Sequence, residues 1–319
     1  MNFLAAIGVA LALVAPASRA QDYPARPIQF IVPYTPGTTA DVLARLLGAR
    51  ISQRWGVPVV VENKAGASGV IGTDAVAKAA PDGYTFLFVA TSFGAIPALQ
   101  ARLPYDPVKS FAPVSLLGTS AMTLVISNRF PATTLRDFVE QVKMQPGVVN
   151  YASPGSGSSQ HLAMELFKQE TATNMVHVPY KGSSGALNDL VAGHVQASVV
   201  SLQSATPLVQ AGKIRMLGVM SRERAATFPQ VPTLAESGYP KLLVETWYGV
   251  MAPTGTPDAV VGKMNAEINQ LLTLADLKEA MARQGVEPAG GKPERLDTLV
   301  RSELKLWSQV VTRGKIVAD

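Results

Sequence analysis

Apolar runs alternate with amphipathic stretches along most of this chain. From Pro27 the runs PIQFIVPY, VPVVVEN and GYTFLFVA have the length of buried strands, and stretches with helical periodicity lie between them. Strands this apolar are typical of sheets covered on both faces, and strand–helix alternation is typical of parallel sheets. The pattern therefore predicts an α/β domain.

A second alternating series begins near Ala121. Its strand-like runs are MTLVISN, VVNYAS, MVHVPY, VQASVV and KIRMLGVM, and VETWYGVMAP resembles a strand that returns to the first series before a helical tail. We therefore predict two α/β domains, with 21–120 and 245–319 in domain 1 and 121–244 in domain 2. Two chain crossings would form a hinge, with the carboxyl ends of both sheets facing one cleft.

The first twenty residues differ from the rest of the chain. FLAAIGVALALVAPA is followed by small residues at Ser18 and Ala20, which is the pattern of an export signal cut before Gln21. The run is too short for an ordinary transmembrane helix. We therefore predict a signal peptide over 1–20 and a mature protein in the periplasm.

The composition of the chain excludes several classes of function. The sequence has no cysteine, which excludes disulfides, thiolate metal sites and cysteine nucleophiles. The net charge is +5, or +4 without Arg19, and the basic residues are scattered, which argues against nucleic-acid binding. The histidines have no metal-ligand spacing. We expect a monomer without cofactor, metal or nucleic-acid partner.

Hydroxyl and glycine residues cluster where a strand ends and a helix begins, once in each predicted domain. The residues are Gly37, Thr38 and Thr39 in PYTPGTTAD, and Ser153, Gly157, Ser158, Ser159 and His161 in SPGSGSSQHLAMELF. Helix N-termini offer free N–H groups and a positive dipole end, which favour anions. Each loop alone is more simply a helix cap. Their recurrence in both halves favours two anion-binding loops facing each other.

Two further strand ends carry the same residue types. Ser68 precedes another predicted helix, and Thr91 and Ser92 follow the strand GYTFLFVA. We include these three residues among the candidates for ligand binding.

Phosphate and nucleophile motifs are incomplete in this sequence. Gly155 and Gly157 begin a G-x-G, but Gln160 stands where G-x-G-x-x-G needs its third glycine. A nucleophile elbow would need serine at position 157. We expect the His161 side chain to reach the loop as a donor and His177 to be a core residue.

Several segments together resemble the Bug receptors, the periplasmic solute-binding proteins of tripartite tricarboxylate transporters. The segments include YPARPIQFIVPYTPGTTADVLARLL, VVVENKAGASGVIGTDAVAKAAPDGYTFLF, YASPGSGSSQHLAMELF and VPYKGSSGALNDLVAGHV. The resemblance implies a two-domain Venus-flytrap fold, each domain a mostly parallel sheet flanked by helices. It also implies a carboxylate ligand, permease subunits as partners, and two loops that grip the ligand, Tyr34 to Thr39 and Ser153 to His161.

The sequence departs from the family pattern at two places. Thr38 stands where the family usually has a second glycine, and the run Val199, Val200, Ser201 stands where relatives often carry Asp or Asn. With Asp41 expected to point away, a ligand ammonium would have no partner, which is costly. An unsubstituted dicarboxylate, aromatic or otherwise apolar, fits better, with Ser201 among the candidate site residues.

Three aromatic residues, Phe93, Trp247 and Tyr248, are candidates for an apolar wall of the cleft. Aromatic residues in such patterns are more often part of the hydrophobic core.

The favoured function is a solute-binding receptor and not an enzyme. The alternatives are a secreted serine hydrolase, or a binding protein that serves a signalling partner.

Overall fold

The computed structural model describes residues 23–100 and 102–317, so the predicted signal peptide lies outside the described residues. The strands are β1 (Ile28–Val32), β2 (Val59–Asn63), β3 (Thr85–Ala90), β4 (Phe111–Ser127), β5 (Asn150–Ser153), β6 (Val176–Pro179), β7 (Ala197–Ser201), β8 (Ile214–Val219), β9 (Glu245–Pro253) and β10 (Glu287–Pro288). The helices are α1 (Thr39–Trp55), α2 (Val70–Ala77), α3 (Ser92–Leu99), α4 (Leu135–Met144), α5 (Ser159–Thr171), α6 (Ser183–Ala192), α7 (Leu202–Gln210), α8 (Asp258–Leu271), α9 (Ala275–Arg283) and α10 (Pro293–Gly314). A short 3-10 turn, Ala67–Gly69, precedes α2.

The strands form two sheets that share β4. In the first, β2, β1 and β3 run parallel, β9 pairs antiparallel with β3, and β4 pairs antiparallel with β9. In the second, β6, β5 and β7 run parallel, and β7 pairs antiparallel with β4. Each sheet is therefore parallel on its outer side and antiparallel where the two sheets meet.

Strand β4 passes from one sheet to the other without a break. Its residues up to Ala121 pair with β9, and those from Met122 onwards pair with β7 and β8. The chain returns between β8 and β9, where the backbone N–H of Val244 bonds to the carbonyl of Met220. The partners thus change next to the predicted boundary at residue 121, although the domain limits themselves stay a prediction.

Helix α10 packs against both lobes. Leu296 and Val300 lie in a buried cluster with β3 and β9 of the first lobe, whereas Trp307 and Val310 lie in the buried cluster of the second lobe. Helix α3 also packs against both lobes, because Phe93 belongs to the first cluster and Ala95 to the second. These two helices contact each other and line the junction between the lobes.

The predicted fold class, two α/β lobes, is confirmed, and the hinge between them stays a prediction. Three elements were missed: the two-residue strand β10, the first half of β4, which contains Pro113 and Gly118, and α3, which contains Gly94 and Pro97. Proline and glycine are poor formers of strands and helices, so local sequence argues against the last two elements. Within the described residues, no helix combines the length and hydropathy needed to cross a membrane.

Candidate functional site

A cavity of about 490 Å³ lies where the carboxyl ends of β1, β2, β3 and β5 approach each other. Its lining includes Tyr34, Thr35 and Thr38 after β1, Ser68 and Gly69 after β2, Ser92, Ala95, Ile96 and Leu99 in α3, and Gly155, Ser156, Gly157 and Ser158 after β5. The cavity therefore contains both of the loops that the sequence singled out.

The buried carboxylate of Asp41 holds the first loop in place. Thr38 is the N-cap of α1, and Asp41, in the first turn, is only 3% exposed. The Asp41 side chain accepts the backbone N–H of Gly37 at 2.9 Å, the amide of Asn63 at 2.9 Å and an ion pair from Arg45 at 2.9 Å. Burial alone would raise the pKa of Asp41, but the bonds from Arg45, Gly37 and Asn63 outweigh it and hold that pKa below 3.8.

The second loop repeats this arrangement with a different acceptor. Ser158 is the N-cap of α5 and accepts the backbone N–H of His161 at 3.3 Å. The Nδ1 of His161 accepts the backbone N–H of Gly157 at 3.0 Å. The His161 side chain thus reaches the loop as expected. Its Nδ1 accepts a hydrogen bond there, so the expectation that it donates was wrong at this nitrogen, because the Gly157 N–H is the donor.

The two loops have nearly the same backbone. Gly37 and Gly157 have φ of 83° and 76°, a region that favours glycine. The N-caps Thr38 and Ser158 follow with φ and ψ of −69° and 156°, and −64° and 155°. In each loop the glycine N–H bonds to a side chain four residues later. In α5 the hydroxyl of Ser158 accepts the N–H of His161, and the earlier N–H groups of both helices have no intrahelical carbonyl partner.

A polar network supports the second loop. The Nε2 of His177 lies 2.6 Å from the hydroxyl of Ser153, and the His177 ring stacks on the His161 ring with centroids 3.8 Å apart. Glu165 lies 4.0 Å from the Nε2 of His161 and accepts from Tyr151 and Lys168. His177 is partly exposed, so its expected role as a core residue was wrong. Its position in the β6 pattern gave no sign of the contact with Ser153.

Helix α3 is fixed between the two loops. The hydroxyl of Tyr34 lies 2.9 Å from the hydroxyl of Ser92 and accepts the backbone N–H of Ala90, which ties the first loop to the start of α3. Burial raises the pKa of Tyr34 above its ordinary value. The hydroxyl of Thr91 accepts the backbone N–H of Trp247 at 2.8 Å, which ties the other side of α3 to β9.

The cavity brings some of the predicted site residues together and leaves others aside. Its lining contains Tyr34, Thr38, Ser68, Ser92, Gly157 and Ser158. The remaining candidates, Gly37, Thr39, Thr91, Ser153, Ser159, His161 and Ser201, lie outside that lining. Among these, Ser153 and Thr91 are buried and bonded to their surroundings, and Ser201 caps α7 through the N–H of Ser204. Whether a ligand touches any of them stays a prediction.

The expected aromatic wall is not found at this cavity. Phe93 is buried against Tyr105 and Phe111, and Trp247 is buried beside Glu303 of α10. Tyr248 interacts with Thr39 on the side of α1. The apolar wall comes instead from Ala95, Ile96 and Leu99, which sequence reasoning missed because α3 was not predicted.

Among the residues that the structure describes, no group of three or more Asp, Glu and His side chains could hold a metal ion. None of the described side chains that line the cavity carries a charge. The site therefore offers backbone N–H groups, neutral hydroxyls, the side-chain amide of Gln100 and an apolar wall. Ser153 does lie beside an imidazole, but it is fully buried and donates to the carbonyl of Gly155, so it is not placed to attack a substrate.

Comparison with known proteins identifies the family. Residues 43–315 match the family model described as the tripartite tricarboxylate transporter family receptor, TctC. Protein BugT of Bordetella pertussis is 39% identical over 315 residues, which cover 97% of this chain and 96% of BugT.

Solved structures show the same similarity. A protein of Rhodopseudomonas palustris solved with adipate is 34% identical, with a TM-score of 0.76 and coverage of 93% of this chain and 99% of that one. MatC from Rhodopseudomonas palustris, solved with malate, is 32% identical, with a TM-score of 0.73 and coverage of 91% and 100%. The chain belongs to the Bug, or TctC, family of tripartite tricarboxylate transporter receptors, which are solute-binding proteins and not enzymes.

Proposed function

We propose that this chain is a periplasmic receptor that binds a small carboxylate, specifically a dicarboxylate, between its two lobes and delivers it to the permease subunits of a tripartite tricarboxylate transporter. The observation that carries the proposal is the pair of glycine loops at one cavity, each opening a helix toward it. Helix N-termini stabilise anions through free N–H groups and the helix dipole. One loop for each carboxylate would join the lobes through the ligand.

The neutral lining is compatible in energy with a charged ligand. Hydrogen bonds to a charged acceptor contribute about 1.5–3 kcal/mol each, so several N–H and hydroxyl donors suffice without a cationic side chain. A ligand that contacts both loops would favour the closed arrangement of the lobes, because it binds that arrangement better than the open one. The relatives solved with adipate and with malate support a carboxylate ligand. Adipate and malate differ both in chain length and in the hydroxyl group that malate carries, so family membership leaves the ligand open.

The test is a thermal-shift and calorimetry screen of the mature protein against mono-, di- and tricarboxylates, sugars and nucleotides. At a hundredfold excess over its dissociation constant, the correct dicarboxylate should add about 2.7 kcal/mol of stability. Stabilisation by sugars with no response to any acid would overturn the proposal. Uptake of the same acid by cells with and without the permease subunits tests delivery, and a signalling partner would leave uptake unchanged.

A matched pair of glycine variants locates the binding site. Gly37 and Gly56 lie at opposite ends of α1, both have positive φ, and a Cβ would meet nothing within 4 Å at either. Alanine at each should lower the stability by about 1–2 kcal/mol for the backbone alone. Only Gly37→Ala should also weaken carboxylate binding. Equal binding by the two variants would mean that the first loop does not contact the ligand.

A further inference from the structure

Helix α3 forms the side of the cavity that connects the two loops. It starts beside the first loop, where Ser92 contacts Tyr34, and its later residues Ala98 and Leu99 pack against the buried cluster of the second lobe. Its far face is packed tightly on α10, because a Cβ at Gly94 would lie 2.9 Å from the Cβ of Glu303. The helix is thus held on both sides and cannot easily move away from a ligand.

The face that α3 turns to the cavity is apolar. Ala95, Ile96 and Leu99 all line the cavity. Leu99 lies four residues after Ala95 and three after Ile96, so it neighbours both on the helix surface. The hydroxyls at the start of the helix are occupied, since Ser92 pairs with Tyr34 and Thr91 accepts from Trp247. The side chains of Ala95, Ile96 and Leu99 therefore offer only carbon to a ligand. Polar groups lie around them, in the two loops, at Ser68 and at Gln100 just after the helix.

The absence of charge in the lining sets a second condition. No described side chain of the lining is acidic, so a ligand ammonium would lose its water without a partner. None is basic, so a third carboxylate would meet no cation in the lining. The nearest carboxylate to the first loop, Asp41, is committed to Gly37, Asn63 and Arg45.

Resting on the proposed function, we propose that α3 selects the ligand: a dicarboxylate whose two carboxylates are joined by an unsubstituted apolar spacer that lies against Ala95, Ile96 and Leu99. Ligands with a hydroxyl or amine on the spacer, and tricarboxylates, are discriminated against. An apolar site rejects a ligand that only adds a hydroxyl by at most about a hundredfold. We therefore expect about 10- to 100-fold weaker binding for hydroxylated ligands, and more for amino-substituted ones.

Calorimetry on the mature wild-type protein tests this with pairs of equal length. The pairs are glutarate with 3-hydroxyglutarate, adipate with 3-hydroxyadipate, and succinate with aspartate, and propane-1,2,3-tricarboxylate tests the third charge. Tighter binding of every unsubstituted partner is the expected result. Equal or tighter binding of the substituted partners would overturn the role of α3 while leaving the carboxylate receptor intact. No binding of any acid would overturn the proposed function itself.

Variants of the wall separate α3 from the loops. Leu99→Asn keeps the branching of the side chain and places an amide on the wall, and the milder Ala95→Ser adds one hydroxyl. Either should reduce the preference for the unsubstituted ligand by about tenfold or more. Met144→Gln, a similar change at an exposed residue of α4, serves as the control and should leave the preference unchanged. If Leu99→Asn fails to fold, Ala95→Ser decides, and an unchanged preference there would overturn the proposal.

Discussion

The two loops of the cavity share a backbone and differ in what holds it. Both place a glycine of positive φ before an N-cap, and both direct the glycine N–H to a side chain four residues later. In the first loop that side chain is the carboxylate of Asp41, with Arg45 and Asn63 as further partners. In the second it is the imidazole of His161, stacked on His177. The same local geometry is thus stabilised once by a charge and once by a neutral ring.

This difference has consequences for an anion in the cavity. A carboxylate behind the first loop would repel the ligand if Arg45 did not offset it, whereas a neutral imidazole adds no net charge behind the second. We therefore expect the first loop to depend on its ion pair and the second on the acceptor nitrogen of His161.

The largest expected effect is on stability, from Asp41→Ala. The change leaves the Gly37 N–H, the Asn63 amide and Arg45 without their shared acceptor. We expect a loss of about 3 kcal/mol of unfolding free energy in urea titrations, because bonds to a charged group contribute about 1.5–3 kcal/mol each and Arg45 remains half exposed. The corresponding His161→Leu should cost less. A larger loss of stability in His161→Leu than in Asp41→Ala would contradict the expectation that Asp41 supports its loop more strongly.

Replacing His161 should separate positioning from folding. His161→Leu removes the acceptor of the Gly157 N–H, so we expect at least about tenfold weaker carboxylate binding along with about 1–3 kcal/mol of lost stability. His161→Asn can supply an oxygen in place of Nδ1 and should recover most of the affinity. The readout is the dissociation constant by calorimetry next to the urea midpoint. If both variants lose stability but bind like the wild type, the imidazole only supports the fold.

The pH dependence of stability tests the support of the first loop. Because the folded pKa of Asp41 is lowered, its contribution to stability is complete well above the ordinary carboxyl pKa and is lost as the pH falls through the depressed pKa. The stability difference between wild type and Asp41→Ala should therefore stay constant down to about pH 5 and then shrink. A difference that shrinks already near pH 6 would contradict the lowered pKa.

The smallest expected effect distinguishes the two N-cap hydroxyls. Ser158 accepts the N–H of His161 and donates to the carbonyl of Gly155, whereas the hydroxyl of Thr38 makes no cap bond and donates to the carbonyl of Thr35. Ser158→Ala should thus cost about 1 kcal/mol of stability and Thr38→Ala under about 0.5 kcal/mol. Each substitution should also weaken ligand binding by about 1 kcal/mol. The effect is small because a carboxylate must first break the bond of each hydroxyl to a loop carbonyl. Equal stability losses would remove the difference between the caps.

The sequence by itself determined the elements with strong local signals. The apolar runs and helical periodicity of 27–100 and 121–219 were enough for the two α/β lobes, because burial on both faces of a parallel sheet leaves a continuous apolar pattern. Both loops were predicted too, since glycine, serine and threonine before a helix have a local physical meaning. The family resemblance rested on the same segments.

Only the tertiary structure showed which residues hold the two loops in place and which form the apolar wall of the cavity. The sequence predicted only that Asp41 points away from the cleft; in the structure it is buried and bonded to Asn63 of β2, Arg45 and the N–H of Gly37. The contact between His161 and His177 joins residues on α5 and β6, and the wall of the cavity belongs to α3, whose Gly94 and Pro97 oppose a helix locally. Such features depend on contacts between distant segments. A pattern of single positions predicts which face of an element is buried, but it does not say which other element covers that face.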